Sequence, residues 1–163
     1  MEKIQIIKFD RKYQDNMINF ILDIQQNEFG VAITLDDQPD LLDIIHHYED
    51  KGGIFLLALD TENDTIIGTI ALVKLDENKS ALKKVFVDPK YRGEYRVGQK
   101  LLDAIVNFAR ETDIEKIYLG STAMMTRAHN FYKKNGFVRE DFSVFPYDFP
   151  IVEVDSVFMV KDL

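Results

Sequence analysis

The chain contains no cysteine among its 163 residues. This absence excludes a disulfide framework, a thiolate metal site and a cysteine nucleophile. It fits the reducing cytoplasm, and the N-terminal segment Met1–Ile4 lacks the basic start and apolar core of a signal peptide, so we expect a cytoplasmic protein. No apolar run approaches the roughly 18 residues that a transmembrane helix needs, so we expect no membrane partner.

Positive charge is also scarce, because 20 Lys and Arg residues face 28 Asp and Glu residues and leave a net charge of −8. General nucleic-acid binding requires a basic surface, so we expect no nucleic-acid partner. Clusters of His, Asp and Glu with metal-ligand spacing are missing, and we expect no metal. The length and the 46% hydrophobic content predict a single domain over residues 1–163 with one sizeable core.

The hydrophobic pattern predicts a mixed α/β fold with the element order β-α-α-β-β-β-α-β-α-β-β. Strands are predicted at 3–9, 54–59, 65–75, 80–87, 116–121, 137–144 and 154–161, and helices at 13–24, 39–53, 97–109 and 126–135. Short polar turns join the three central strands and predict an antiparallel meander. The strand–helix–strand crossover from 80 to 121 predicts a parallel pair.

One stretch contrasts with the acidic character of the chain. Residues 87–105 read VDPKYRGEYRVGQKLLDAI, so Arg92, Arg96 and Lys100 stand beside Gly93 and Gly98 in front of an apolar helix. A helix N-terminus presents unpaired N–H groups, and glycine lets an anion approach the backbone. The stretch predicts either a phosphate-binding loop or a solvated turn with surface charge. Its glycine spacing matches neither a Walker loop nor the dinucleotide-binding fingerprint.

Together with residues 128–137, AHNFYKKNGF, this stretch resembles the GCN5-related N-acetyltransferase (GNAT) family. The first segment matches the pattern V-x-P-x-Y-R-G that precedes the family's phosphate loop, and the second matches A-x-x-F-Y-x-x-x-G-F. The resemblance implies a GNAT-like, mostly antiparallel sheet flanked by helices. It also implies that the sheet splays between the strand ending at Val87 and the strand at 116–121, with acetyl-CoA in the cleft.

The resemblance further implies which residues hold acetyl-CoA, with its pantetheine on the strand end and its pyrophosphate on the N–H groups of residues 92–98. The expected coenzyme residues are Val85, Phe86, Val87, Arg92, Gly93, Tyr95, Arg96, Val97, Gly98, Gln99, Lys100 and Tyr132. Arg96 stands where the family usually has its first glycine, in a loop one residue longer, so we expect the Arg96 guanidinium to share in holding the pyrophosphate. Met125 stands where the family often has a coenzyme-contacting Asn.

Acetyl transfer to an amine requires a neutral amine, a stabilised oxyanion and a proton for the departing thiolate. Tyr132 matches the family's usual general acid, because a phenol can protonate the sulfur. The alternative role for Tyr132 is that of a packing residue. Backbone N–H near Val87 is the family-typical oxyanion donor. Glu28, at the end of the first helix, is the candidate base, and the alternative is an ordinary exposed glutamate.

The expected acceptor is a small-molecule amine or a peptide N-terminus, with a pocket lined by residues 27–34 and 145–150. We expect Glu28, Phe29, Ser121 and Tyr147 to contact it. The competing roles are a helix cap for Ser121 and a dimer contact or core edge for the aromatic residues. His129 is expected to face solvent. Apolar late strands often pair between subunits in this family, so a monomer and a homodimer both stay open.

Three functions are compatible with the sequence. We predict an acetyl-CoA-dependent N-acetyltransferase that works by direct attack in a ternary complex, because no cysteine or evidently activated serine is present to carry the acetyl group. A non-catalytic acyl-CoA-binding or sensing module of the same fold is the alternative, for which the altered loop and Met125 leave room, whereas Tyr132 in an otherwise intact motif argues for catalysis. A structural domain whose basic turn binds an acidic partner is the third.

Overall fold

The computed structural model describes residues 3–93 and 95–163. Within these ranges, seven strands form one sheet in the order β1-β2-β3-β4-β5-β7-β6. The strands are β1 (Ile4–Lys8), β2 (Ile54–Asp60), β3 (Thr65–Lys74), β4 (Lys79–Val87), β5 (Lys116–Ser121), β6 (Val138–Arg139) and β7 (Val157–Asp162). The helices are α1 (Gln14–Leu22), α2 (Ile44–His47), α3 (Val97–Glu111) and α4 (Thr126–Lys134). None of them combines the length and the apolar character that a membrane span requires in the part of the chain described.

The pairing of the strands confirms both topological predictions. Strands β1 to β4 form an antiparallel meander, joined by the short turns that the sequence marks with polar residues. Strand β4 continues through α3 to β5, and this crossover makes the two strands parallel. Strand β7 then pairs antiparallel with both β5 and β6. The result is the mixed, mostly antiparallel sheet that the sequence predicts.

The parallel pair is short. Its rungs join Lys79–Ala81 to Lys116–Tyr118, and the described residues form no rung between the two strands beyond that point. Strand β4 nevertheless continues for six residues to Val87, or about 20 Å at about 3.3 Å per residue. The two strands therefore diverge and open a cleft, which confirms the predicted splay.

A β-bulge shapes the β4 side of this cleft. Between the pairs Ala71–Lys83 and Thr69–Phe86, β3 advances by two residues and β4 by three. The extra residue gives Lys84 a left-handed backbone with a φ of 56°, and the Thr69 hydroxyl donates to its carbonyl at 2.7 Å. Because a bulge bends its strand and redirects side chains, it lets β4 turn away from β5.

Apolar residues pack on both faces of the sheet. Helix α3 covers one face through residues that recur at helical spacing, including Val97, Leu101 and Ile105, and α4 joins it through Tyr132. Helix α1 and the segment around α2 cover the other face over β2 and β3. An aromatic cluster around Phe145 packs on β5 and β7.

Two predicted elements are shorter in the structure. The helix expected over 39–53 is divided into the turns Pro39–Leu42 and Glu49–Lys51 with α2 between them, because Asp43 leaves the helical region at a φ of −151° and a ψ of 68°. The strand expected at 137–144 shortens to β6, since residues 142–144 form a 3₁₀ turn capped by the Asp141 carboxylate. The stop expected after α4 is confirmed, with Gly136 at a φ of 90°.

Helix α3 approaches the sheet closely at Gly68 of β3. A Cβ at Gly68 would lie 2.9 Å from Leu101 Cδ1 and 3.0 Å from Val97 Cγ1. We predict that Gly68→Ala destabilises the protein by about 1–3 kcal/mol, because both side chains are buried and must move. Thermal and urea unfolding measure the effect. Gly98→Ala is the matched control, since its Cβ would stay at least 3.7 Å from its neighbours, and equal stabilities of the two variants would contradict the prediction.

Candidate active site

The first turn of α3 lies between the end of β4 and α4. A Cβ at Gly98 would lie 3.7 Å from the Phe131 ring of α4 and 3.8 Å from Val87 Cγ2 at the end of β4. These are ordinary van der Waals distances, so the packing of the chain does not itself require glycine here. A glycine at a helix N-terminus instead leaves the backbone N–H groups open to a close anion.

Arg96 occupies a backbone conformation that normally favours glycine. It precedes α3 with a φ of 55° and a ψ of 35°, in the left-handed region, and its carbonyl accepts the Lys100 N–H at 3.0 Å. The side chain of Arg96 is exposed. The structure thus explains why this position suits glycine in the family pattern, and it leaves the guanidinium at the surface of the loop.

Arg92 is the centre of a brace that the sequence does not reveal. Its guanidinium donates two bonds to the Glu28 carboxylate, at 2.5 and 2.8 Å, and its Nε donates to the Val87 carbonyl at 3.0 Å. A wide π-helical turn, Asp23–Glu28, follows α1 and carries Glu28 to this contact. The brace joins the predicted acceptor segment, the end of β4 and the predicted phosphate loop.

Tyr91 fixes the start of the loop. Its hydroxyl donates to Asp60 Oδ2 at 2.5 Å, and this hydrogen bond holds the pKa of Asp60 below its usual value. The same bond raises the pKa of Tyr91 to about 12. The Tyr91 ring also packs on Tyr95, with 5.1 Å between centroids, and Gly93 takes a φ of 86° between them. Glu94, the remaining residue of the predicted loop, lies outside the described residues.

Tyr132 is a buried residue of α4, with 7% of its surface exposed, and its ring packs against the rings of Phe131 and Phe137. Burial raises the pKa of its hydroxyl well above the ordinary value of 10. The phenol therefore keeps its proton throughout the neutral range. Both roles considered for Tyr132, packing residue and proton donor, are consistent with this position.

His129 corrects an expectation from the sequence. It is buried, with 8% exposed, and does not face solvent. Its Nε2 lies 3.1 Å from the hydroxyl of Ser121, the last residue of β5. Burial lowers the pKa of His129, while a hydrogen bond with the Thr122 backbone opposes the shift, so the ring is neutral at pH 7. The periodicity of α4 could have shown that His129 and Tyr132, three residues apart, share one side of the helix.

The expected acceptor residues separate into two groups. Phe29 follows the π-helical turn and lies 5.9 Å from the Arg92 guanidinium, so Glu28, Phe29 and Arg92 are close together. Tyr147 is 87% exposed, and its hydroxyl bonds to Asp76 in the turn before β4. That turn is at the far end of the strand, about 26 Å from Val87 along the β4 backbone at about 3.3 Å per residue. The structure does not bring Tyr147 to the cleft.

Two adjacent residues of β4, Lys83 and Lys84, lie on the side of the sheet that α1 covers. Lys84 Nζ lies 2.6 Å from Gln38 Oε1 and 3.7 Å from Asp40 Oδ2. Gln38 is held in turn by the buried Gln25. Burial lowers the pKa of Lys83 and of Lys84. The sequence carried a signal for this site, since the pair interrupts the otherwise apolar strand SALKKVFV.

The comparisons with known proteins identify the family. Residues 18–137 match the family model described as the acetyltransferase (GNAT) family. Because the match spans most of the chain, the protein belongs to this family of acetyltransferases. No curated protein matches the chain.

Over residues 3–93 and 95–163, no three His, Asp or Glu side chains converge as metal ligands.

Solved structures support the same assignment. A GNAT-family acetyltransferase from Staphylococcus aureus Mu50 is 44% identical over 98% of each chain, with a TM-score of 0.93. An acetyltransferase from Streptococcus agalactiae 2603 is 29% identical over the full length of both chains, with a TM-score of 0.93. The PaiA N-acetyltransferase of Thermoplasma acidophilum, solved with coenzyme A, is 20% identical over 99% of this chain and 100% of its own. Its TM-score of 0.76 shows a likeness of fold.

The left-handed backbone at Arg96 generates a stability prediction. Arg96→Gly should raise the free energy of unfolding by about 1 kcal/mol, because glycine has no Cβ to strain this conformation. Arg96→Ala should give no such gain, since alanine keeps the Cβ. Thermal unfolding of both variants measures the difference, and a glycine variant less stable than the alanine variant would contradict the prediction.

Proposed function

We propose that the protein is an acetyl-CoA-dependent N-acetyltransferase that transfers an acetyl group to the amine of a small molecule or a peptide N-terminus. The observation that supports this most is the cleft between β4 and β5. The helix N-terminus at Gly98 lies beside Val87 at the end of β4, and the buried phenol of Tyr132 packs in the core cluster that α3, α4 and β5 share. The first feature suits an anionic coenzyme, and the second suits protonation of a leaving thiolate.

The residues of the cleft fit the coenzyme in two regions. Beyond Ala81, the β4 edge that faces β5 carries no rungs in the described chain, so the backbone from Val85 to Val87 is suited to pair with an extended amide chain. The first turn of α3, with the exposed Arg96, is suited to a pyrophosphate. When bound, acetyl-CoA supplies the acetyl group as a thioester. Gly93, Tyr95, Val97, Gln99 and Lys100 remain predicted contacts of this loop.

The brace changes the roles that we propose for Arg92 and Glu28. Three Arg92 donors are already used inside the protein, so Arg92 holds the loop in shape and Arg96 is the better candidate to contact the pyrophosphate. Both Glu28 oxygens accept from Arg92, which leaves this carboxylate poorly placed to take a proton from an amine. We therefore give Glu28 a positioning role beside the acceptor segment.

Two assays test the function. Thermal-shift titration with CoA and acetyl-CoA tests the coenzyme site, and the release of free thiol from acetyl-CoA over a panel of amines and N-terminal peptides tests the transfer. A response to the coenzyme without thiol release would favour the non-catalytic acyl-CoA-binding module. No response to the coenzyme would overturn both readings and favour a structural domain.

Gly98 generates a prediction that separates coenzyme binding from folding. Gly98→Ala should leave the fold equally stable or up to about 1 kcal/mol more stable, because alanine is the better helix former. The new methyl group should weaken acetyl-CoA binding about tenfold or more, since it narrows the gap between Val87 and Phe131. Calorimetric titration measures the affinity. Asn107→Ala, on the exposed side of α3, is the control, and equal affinities would contradict the prediction.

Tyr132 generates a prediction about the chemical step. Tyr132→Phe should lower kcat about 100-fold or more while acetyl-CoA affinity changes little, because the ring is kept and only the proton donor is lost. Tyr118→Phe is the control, since Tyr118 is buried in the aromatic cluster on the other face of the sheet. Unchanged turnover in Tyr132→Phe would assign the residue to packing alone.

A further inference from the structure

A carboxylate that the sequence does not single out lies where the sheet divides. Asp155 belongs to the segment before β7, and its Oδ2 lies 2.5 Å from the position that a Cβ on Gly120 would take. Gly120 is in β5, two residues beyond Tyr118 and the last rung with β4. The Asp155 carboxylate thus fills the space that a side chain of β5 would occupy at the cleft.

The alternation of β5 side chains shows which face this is. Ile117 and Leu119 pack in the α3 cluster, and Ser121 continues that face to its contact with His129 of α4. Tyr118 packs in the aromatic cluster on the opposite face, and Gly120 follows it there. Asp155 therefore lies across the sheet from Tyr132. A coenzyme on one face and an amine on the other would meet between the diverging strands.

Lys83 is the charge that faces Asp155 from β4. Two residues beyond the rung between Ala81 and Tyr118, the residues on the same face are Lys83 and Gly120. Lys83 is half-buried, and its charge acts on Asp155. The negative charge of Asp40 also acts on Lys83, and the neighbouring Lys84 forms its own ion pair with Asp40. The facing residue of β5, Gly120, adds no charge.

The backbone around Asp155 is anchored. Its N–H donates to the Val152 carbonyl at 3.0 Å, and the next N–H, of Ser156, donates to the Ser121 carbonyl at 2.9 Å. The β5–β7 ladder starts directly after, with Ser121 opposite Val157. A side chain next to a strand is held more precisely than one on a free loop, which a proton-transfer group requires.

The environment also favours a proton acceptor. Burial raises the pKa of Asp155 above the ordinary value, and the Lys83 charge opposes this shift. An acceptor of protons works best when its pKa lies close to the operating pH. Asp155 is half-buried with one cation beside it, whereas both oxygens of Glu28 already accept hydrogen bonds from Arg92.

We propose that Asp155 takes the proton of the acceptor ammonium and that Lys83 positions its carboxylate, an assignment that rests on the proposed N-acetyltransferase function. One N–H proton passes to Asp155, and the freed lone pair forms the bond to the acetyl carbon. The bond from that carbon to sulfur breaks, and Tyr132 gives its proton to the sulfur. The second nitrogen proton returns to the Tyr132 oxygen through water. Asp155 releases its proton to solvent, so each turnover releases one proton.

Asp155→Asn tests the assignment, with Glu153→Gln as the matched control because Glu153 is exposed in the same segment. In Asp155→Asn, kcat/KM for the amine should fall about 100-fold or more, and CoA should still shift the melting temperature as in the native chain. Native activity should rise with pH as Asp155 loses its proton, and this acidic limb should disappear in Asp155→Asn. Glu153→Gln should keep both the rate and the limb.

A readout without turnover comes from the carboxyl ¹³C resonance of Asp155 in the protein alone. Its midpoint should lie above that of an exposed aspartate and should rise further in Lys83→Met, because the opposing cation is removed. The acidic limb of the rate profile should move upward by the same amount. If Lys83→Met shifts the titration midpoint of Asp155 but leaves the acidic limb of the rate profile unmoved, the Asp155–Lys83 pair is merely structural and the assignment is overturned.

The remaining outcomes also decide the matter. If the acidic limb persists in Asp155→Asn and disappears in His129→Gln, the proton acceptor is the Ser121–His129 pair and the assignment is overturned. If the native protein binds CoA but no amine releases thiol, the proposed function itself fails and the assignment fails with it. Loss of turnover in Asp155→Asn alone, with native turnover present, supports the assignment.

Discussion

The early end of the β4–β5 ladder is the constraint on which the rest of the structure depends. Three rungs hold the two strands together, and beyond Ala81 they separate. On the edge of β4 that faces β5, the separation leaves backbone groups of the described chain without a strand partner. Such groups would be costly in a closed core and are tolerated only where solvent or a ligand can reach them. The bulge at Lys84 bends β4 away, and the parallel crossover returns α3 so that its N-terminus follows the end of β4. The cleft and the helix N-terminus, where we propose the coenzyme and its pyrophosphate, are thus consequences of a single break in pairing.

The charges around this cleft are organised by face. On the loop, Arg92 is held inside the protein by Glu28 and Val87, whereas Arg96 is exposed. On the opposite face, Lys83 and Lys84 are balanced by Asp155 and Asp40. A half-buried cation is costly without an opposite charge nearby, so the two lysines depend on the carboxylates of that face. The Arg92–Glu28 pair connects the two regions, because Glu28 follows α1, which covers this opposite face.

The sequence predicts those features that depend on local pattern. Apolar strand runs, polar turns and the apolar repeat of α3 were enough for the meander, the crossover and the helix that follows the glycine-rich turn. The contacts that the sequence does not predict join distant positions. Glu28 and Arg92 are 64 residues apart, and Asp155 reaches β5 from a segment without any regular element. The helix expected over 39–53 failed for a local reason, since Asp43 leaves the helical region within an apolar repeat that otherwise continues.

The backbone at Arg96 connects strain with function. A side chain in the left-handed region costs roughly 1–2 kcal/mol relative to glycine. A charge-assisted hydrogen bond, in contrast, contributes roughly 1.5–3 kcal/mol when its groups are shielded from water. In the free protein the exposed guanidinium gains little, so the strain is uncompensated there. With the pyrophosphate that we propose on the first turn of α3, such a bond would contribute about as much as the strain costs. We therefore expect an arginine at this glycine-like position to lower the stability of the free loop and to raise its affinity for an anion.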